Sequence, residues 1–294
     1  MIERCAVVAR AYDEPLAGTA PVAVRWACLE HRGPWPQDVE AHPDPAVAGF
    51  AARASAAGWR FLLVRRPGLR AGERATAGPV QLLLADTATA RASALTLTGT
   101  GRLAEVPLPA AGSRLPGVPM ADPALLVCAH GRRDRCCALD GRALAGALVE
   151  AEQADVWECS HLGGHRFAPT ALVLPTGYLY GRLDVATAVA ARKAAAAGEV
   201  ETALCRGRST WSPAGQVAEL AVRAGTGLRD AAALQVTDSP DGAVVEHVAD
   251  GRRWAVEVTA HEGPTPCDSA CGVSVLPRLA LRATRVRTLE PHVR

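Results

Sequence analysis

The sequence predicts an α/β protein in three parts: an N-terminal α/β domain over 1–118, a second α/β layer over 119–200, and a C-terminal helix with an antiparallel β meander over 201–294. Three observations predict it. Short apolar runs bounded by Gly and Pro alternate with longer stretches of helical spacing as far as residue 200. The Pro- and Gly-rich segment 110–123 (AAGSRLPGVPMADP) breaks that pattern in the middle and reads as a linker. Beyond residue 230 the punctuation becomes hairpin-like, with Asp241-Gly242 and Asp250-Gly251 between alternating strands.

In chain order, 18–33 reads as a strand ending at Gly33, with Pro34-Trp35-Pro36 as a stiff connector. Asp44 caps a helix over 45–57, with Pro45 in its first turn and Gly58 beyond its end. Strands follow at 60–65 and 79–85, and 92–108 reads as further β structure. After the linker come a strand at 124–128, a helix from 135 to about 152 with Asp134 as its N-cap, a strand at 155–159, and a hairpin of 171–174 with 178–180 around Pro175-Thr176-Gly177. Asp184 caps a helix over 185–197 that Gly198 ends. The order β-α-β-β-β-α is that of a thioredoxin-like layer, and the first domain's order loosely echoes it. The remainder reads as a helix at 211–224 and strands at 233–236, 243–248 and 253–258.

Composition narrows the function classes. In 294 residues, nearly half are apolar, enough for real cores of Ala, Val and Leu. Lys193 is the single lysine among 32 basic residues, and the net charge of +2 argues against a nucleic-acid surface. No apolar run approaches the length needed to span a membrane, about 18 residues, and the N-terminus has no secretory pattern. Nine irregularly spaced cysteines do not read as a secreted disulfide framework, so a cytoplasmic protein with reduced thiols is expected.

Those thiols are concentrated. Between Cys128 and His165 lie Cys128, Cys136, Cys137 and Cys159 together with His130, His161 and His165. Thiolate and imidazole gathered at strand ends suggest a soft-metal or redox site. His161 and His165 are separated by Leu162-Gly163-Gly164. Two glycines cost a helix about 2 kcal/mol relative to alanine, so a loop wrapping a bound object is expected. Cys136 and Cys137 follow Asp134 at a helix start, where the dipole favours thiolate. Being adjacent, they point in different directions, so one is the ligand. Structural zinc sites space their cysteines by two to four residues, whereas Cys128 to Cys137 is a longer loop, suited to a cluster. A second spelling is a trap: Gly99-Thr-Gly101-Arg-Leu-Ala104 matches a dinucleotide fingerprint but runs into Glu105-Val-Pro-Leu-Pro109 instead of a helix, so a bend or hairpin is expected. His261-x5-Cys267-x3-Cys271 reads as a surface loop containing two thiols rather than a second metal site.

At Cys128-x-His-Gly-x-Arg-Asp134-x-x-Cys137 and Trp157-x-Cys-Ser-His161-x-Gly-Gly-His165-x-Phe-Ala168 the chain resembles the sucrase/ferredoxin-like family. Leu174-Pro-x-Gly177, Tyr180-Gly-Arg-Leu183, Gly18-Thr-Ala20, Glu30-x-x-Gly-Pro-Trp35 and Val64-Arg-Arg-Pro-Gly68 extend the likeness over most of the chain. The resemblance implies a thioredoxin-like ferredoxin domain binding a 2Fe–2S cluster through Cys128, Cys137, His161 and His165, both cysteines on one iron and both histidines on the other. The histidine-bearing iron would be the exposed one, facing a redox partner protein. Ala138 stands where the pattern expects glycine, which leaves Cys136 and Cys159 as alternative ligands. His130, Arg133 and Asp134 are candidates to orient ligands or donate to the cluster. No pair of carboxylates placed for glycoside hydrolysis supports the sucrase half of the name. The expected function is electron transfer with pH-dependent redox behaviour. The competing classes are a thiol–disulfide oxidoreductase using Cys128 with Cys136 or Cys137, which lacks a Cys-x-x-Cys motif, and a zinc-stabilised interaction module.

Overall fold

The computed structural model describes residues 4–68, 78–151, 153–263 and 279–290. In chain order its elements are α1 (Cys5–Ala11), β1 (Arg25–Glu30), α2 (Pro45–Ala56), β2 (Trp59–Arg65), β3 (Val80–Asp86), β4 (Arg91–Leu97), the two-residue β5 (Val118–Pro119), β6 (Ala124–Cys128), α3 (Arg142–Glu150), β7 (Val156–Cys159), β8 (Ala171–Leu174), β9 (Tyr178–Tyr180), α4 (Val185–Ala196), β10 (Cys205–Arg208), α5 (Pro213–Thr226), β11 (Leu234–Ser239), β12 (Gly242–His247), β13 (Arg253–Glu262) and β14 (Leu279–Leu289).

The local signals act as capping chemistry predicts. Asp44 accepts from the Ala46 amide at the start of α2, where Pro45 fills the first position, and Val47, Phe50, Ala51 and Ala54 make one buried stripe. Asp184 and Thr187 close a reciprocal capping box on α4. Ser212 caps α5, and Gly227 ends it in the left-handed conformation.

Strands β1–β10 form one mixed sheet in the order β10-β9-β8-β6-β7-β2-β1-β3-β4-β5, and β11–β14 form a separate antiparallel sheet in sequence order. The large sheet is nearly self-repeating. In each half two parallel strands flank a helical crossover, β1 with β2 and β6 with β7, and two antiparallel strands extend the first of them. The halves meet where β2 and β7 run antiparallel, pairing Val64 with Cys159 and Arg65 with Glu158. The large sheet therefore draws strands from both sides of residue 118.

Alternation along β6 sets the site. Leu125 and Val127 point into a core under α3 and α4, while Leu126 and Cys128 point into a core on the other face that runs through both halves and contains Cys28, Cys137, Cys159 and Leu162. Across the seam Arg65 and Glu158 form a buried ion pair at 2.7 Å, and Ser160 accepts from the Leu63 amide at 3.0 Å while donating its own amide to the Leu63 carbonyl. At the far side Tyr178, Glu219 and Arg223 make a buried triad that fixes α5.

Several expectations change. The strand predicted over 18–33 is confined to β1, because Thr19 and Ala20 are engaged by Arg206 and Gln216 instead of a ladder. The β structure predicted over 92–108 ends at Leu97. Thr100–Glu105 is a single 3₁₀ helix whose buried Leu103 joins the core under α2, so the Gly99-x-Gly101 spelling lies at a bend leading into a short turn, the bend being one of the two forms expected. Elements α1, β10 and β14 were not foreseen. The pair Cys267 and Cys271 lies outside the described residues.

Candidate metal centre

Two loops leave the C-terminal ends of the parallel neighbours β6 and β7, whose last residues, Cys128 and Cys159, are paired in register. The first loop runs from Ala129 into a helical turn whose hydrogen bonding widens to π spacing over Cys137–Gly141 before α3 begins. Single π turns of this kind are frequent at functional sites. Asp134 organises its start: Oδ1 accepts from the Cys136 amide at 2.7 Å and the Cys137 amide at 3.4 Å. The adjacent cysteines then diverge. Cys137 turns into the shared core beside Cys128, whereas Cys136 packs with Cys5, Ala6 and Ala168. Gly141 lets this turn approach the end of β6, since a Cβ there would lie 1.9 Å from the Cys128 carbonyl oxygen.

The second loop carries the histidines. His161 follows Ser160 at the seam, and Gly163 and Gly164, both at positive φ, turn the chain into a one-turn 3₁₀ helix over His165–Phe167. Ligand atoms of Cys128, Cys137 and His161 all lie within 4.8 Å of one another. Cys128 is 0% exposed and Cys137 1%. His165 stands beside them, its ring stacked on that of His161 at 6.4 Å and 29°, with Nδ1 3.7 Å from Asp134 Oδ2. Asp134 thus lies against both loops, with Oδ1 on the cysteine-bearing turn and Oδ2 facing the His165 ring.

Electrostatics favour one thiolate at the centre. The Cys128 thiol is held well below the usual cysteine range, chiefly by the hydrogen bond from Cys137 and also by hydrogen bonds from His161 and the Leu162 amide. Cys137 is pushed up for the converse reason, as donor to Cys128. Cys159 is pushed up by burial first and then by the neighbouring Cys128, and it packs with Cys28 in the core, outside the converging group.

His130 lies on the first loop. Its Nε2 donates to the Pro36 carbonyl at 2.9 Å and its ring meets Trp35 edge-on, so it ties the loop to the Pro34-Trp35-Pro36 connector. Arg133 is exposed on the rim of a cleft of about 630 Å³ that His130, Ser160 and His161 also line. His161 is half-buried and open to this cleft. His165 is 6% exposed, because the loops around its 3₁₀ turn pack against α1 and Glu14 pairs with Arg166 at 2.5 Å.

Two arginines that sequence reasoning passed over hold the histidine loop. Arg60 donates to the Leu162 carbonyl at 3.1 Å and lies 5.3 Å over the Trp26 ring. Arg206 donates to the Gly163 carbonyl at 3.0 Å. Arg60 carried a faint signal, a charged residue near the start of a strand whose centre, Phe61 to Val64, is apolar. Arg206 carried none, because Cys-Arg-Gly-Arg has too little apolar pattern to announce β10.

A family model described as Sucrase/ferredoxin-like matches residues 16–207, more than half of the sequence. The chain belongs to the sucrase/ferredoxin-like family. The matched span contains the whole of both site loops and runs from the segment before Gly18-Thr19-Ala20 to β10, so the arginine-clamped loop of this family member falls inside it. No curated protein and no solved structure gives a significant match. Among the described residues, no helix is long and apolar enough to cross a membrane.

The donor set suits a thiophilic metal group. Two sulfurs and an imidazole converge in a buried place, a backbone amide is aimed at one sulfur, and the buried Nδ1 of His161 has no hydrogen-bond partner. Those are the features of a site arranged for something other than the protein's own polar groups.

Proposed function

We propose that this protein is a cytoplasmic electron-transfer protein that holds a 2Fe–2S cluster with Cys128, Cys137, His161 and His165, on a thioredoxin-like layer made of β6–β9 with α3 and α4. The observation carrying this reading is the convergence of Cys128, Cys137 and His161 within 4.8 Å, at the ends of two parallel strands. The strand order β7-β6-β8-β9, with a helix between the parallel pair and another after the hairpin, supports the layer.

When bound, such a cluster accepts and returns one electron, and imidazole ligation places His2Cys2 centres at about −150 to +300 mV, against about −400 mV for all-cysteine plant-type ferredoxins. The chain's own contribution is positioning and charge. The π turn and β6 present the sulfurs from buried backbone, the Leu162 amide donates to Cys128, and Asp134 faces the His165 ring. His161, open to the cleft, is the side from which a redox partner protein would approach.

The full burial of Cys128 and Cys137 weighs against a thiol–disulfide oxidoreductase, whose attacking sulfur must reach a partner's disulfide. A mononuclear zinc site is the second reading, because the tight Cys128–Cys137–His161 grouping also suits a tetrahedral ion. Metal and acid-labile sulfide analysis with a visible spectrum of protein purified without oxygen separates the two. The expected result is a coloured protein with iron and sulfide in equal amount. Colourless protein with stoichiometric zinc would overturn the proposal. In the coloured protein, voltammetry of His161→Cys is expected to show a lower potential with a flatter pH dependence.

A further inference from the structure

Arg206 rises from β10 into the interior and is 1% exposed. Its Nε donates to Thr19 Oγ1 at 3.0 Å, one terminal nitrogen donates to the Gly163 carbonyl at 3.0 Å, and the other donates to the Thr19 carbonyl. The guanidinium therefore joins the Gly18-Thr19-Ala20 segment, otherwise without an evident role, to the histidine loop. Gly164 fits flat against it: a Cβ at that position would lie 2.3 Å from a guanidinium nitrogen, and the backbone φ is +74°. The backbone of β10 adds to the anchorage, since the Arg206 carbonyl accepts from the Gly18 amide at 3.0 Å.

Every one of these side-chain bonds goes to a carbonyl or hydroxyl oxygen, and among the described residues Arg206 makes no ion pair with a carboxylate. A buried guanidinium without a counter-charge is costly, and a buried cation ordinarily finds one. Burial and the nearby Arg166 lower its pKa to about 9, which still leaves it charged at neutral pH. Carbonyl and hydroxyl bonds explain why the side chain is fixed.

We infer that Arg206 is a positioning residue of the candidate metal centre: it latches the Gly163–Gly164 loop that carries both histidines. The latch stands on its own contacts, and its bearing on a bound metal group rests on the function proposed above.

The test compares wild type with Arg206→Met, Arg206→Lys and Thr19→Val in the full-length protein as purified. Hydrogen exchange is followed at the Phe167 and Ala168 amides, which donate to the Gly164 and His165 carbonyls. Arg206→Met should speed exchange there by at least about tenfold, the factor for losing one charged hydrogen bond. Thr19→Val, which removes one acceptor from a half-buried position, should speed it by a smaller factor, and it keeps the latch testable if Arg206→Met does not fold. Unchanged exchange in all three variants would overturn the latch. The second readout is release of bound metal to a chelator, which should be faster in Arg206→Met than in wild type and partly restored in Arg206→Lys, which keeps a donor group but cannot span all three acceptors. Unchanged release in both variants would overturn the positioning role. Wild type without iron and sulfide would instead mean that the cluster reading itself has failed, with the exchange result still deciding the latch.

Discussion

At the scale of single residues, adjacent cysteines serve different cores. Cys137 meets Cys128, and Cys136 meets Cys5 under α1. Cys137→Ser is expected to remove most bound metal, since loss of a thiolate ligand leaves a neutral hydroxyl, whereas Cys136→Ser should retain it; metal content per chain of the two purified variants checks this. Asp134→Asn should weaken metal retention by about 10–100-fold, the usual effect of losing a carboxylate behind a ligand histidine, measured by competition with a chelator. Away from the site, His31 and His42 face each other at 3.4 Å between ring nitrogens. Burial pushes the His31 pKa down to about 4, with His42 and Arg65 adding to it against the opposing pull of Asp44. The folded protein thus binds this proton less readily than the unfolded chain. Stability owed to a neutral His31 is full above an unfolded value near 6.5 and is lost as pH falls toward about 4. Denaturation midpoints measured across that window should decline less steeply in His31→Gln.

At the scale of elements, the deciding feature is the turn between β6 and α3. Composition and caps predict a helix from residue 135, and a helical run does begin there, but its π segment over Cys137–Gly141 is a tertiary fit to the end of β6. Gly141 is the residue that permits it. Gly141→Ala should destabilise the protein by about 3 kcal/mol, at the upper end for overpacking, because the added methyl meets backbone rather than a movable side chain. It should also reduce metal content, a pairing that chemical denaturation and metal analysis of one sample would reveal. Two further elements were hidden from sequence reading for a physical reason. Strand β10 is four residues with two buried arginines, and β14 carries Arg282, Arg285 and Arg287 on a largely exposed edge, so neither shows the alternation expected of a half-buried strand.

At the scale of the molecule, two similar halves share one sheet through a seam of only two residue pairs, reinforced by Arg65–Glu158 and by Ser160 with Leu63. The seam adjoins the site, for β7 supplies both the seam pairing and the loop that bears His161. Glu158→Ala leaves the Arg65 guanidinium buried without its partner and should cost about 3 kcal/mol or more, read as a lower denaturation midpoint. If the seam supports the centre, metal should also leave the variant faster than wild type. Only the second half holds a thiol–imidazole group of this kind among the described residues, so the first half serves it as a wall: Arg60 holds the Leu162 carbonyl, and Pro36 receives the His130 ring.

The sequence by itself determined the α/β class, the caps and extents of α2 and α4, the presence of α5, the strands β6–β9, and the concentration of Cys128, Cys137, His161 and His165 in two loops. These are local matters: cap residues, turn glycines and apolar runs act within a few positions, and the ligand-type residues are dense enough to stand out unaided. The tertiary structure decided what depends on distant partners. It turned Cys137 inward and Cys136 away, left His161 open while α1 enclosed His165, joined the strands of both halves into one sheet, and brought Arg206 and Thr19 to the histidine loop. A buried guanidinium is specified by the groups around it, and no pattern along β10 announces them.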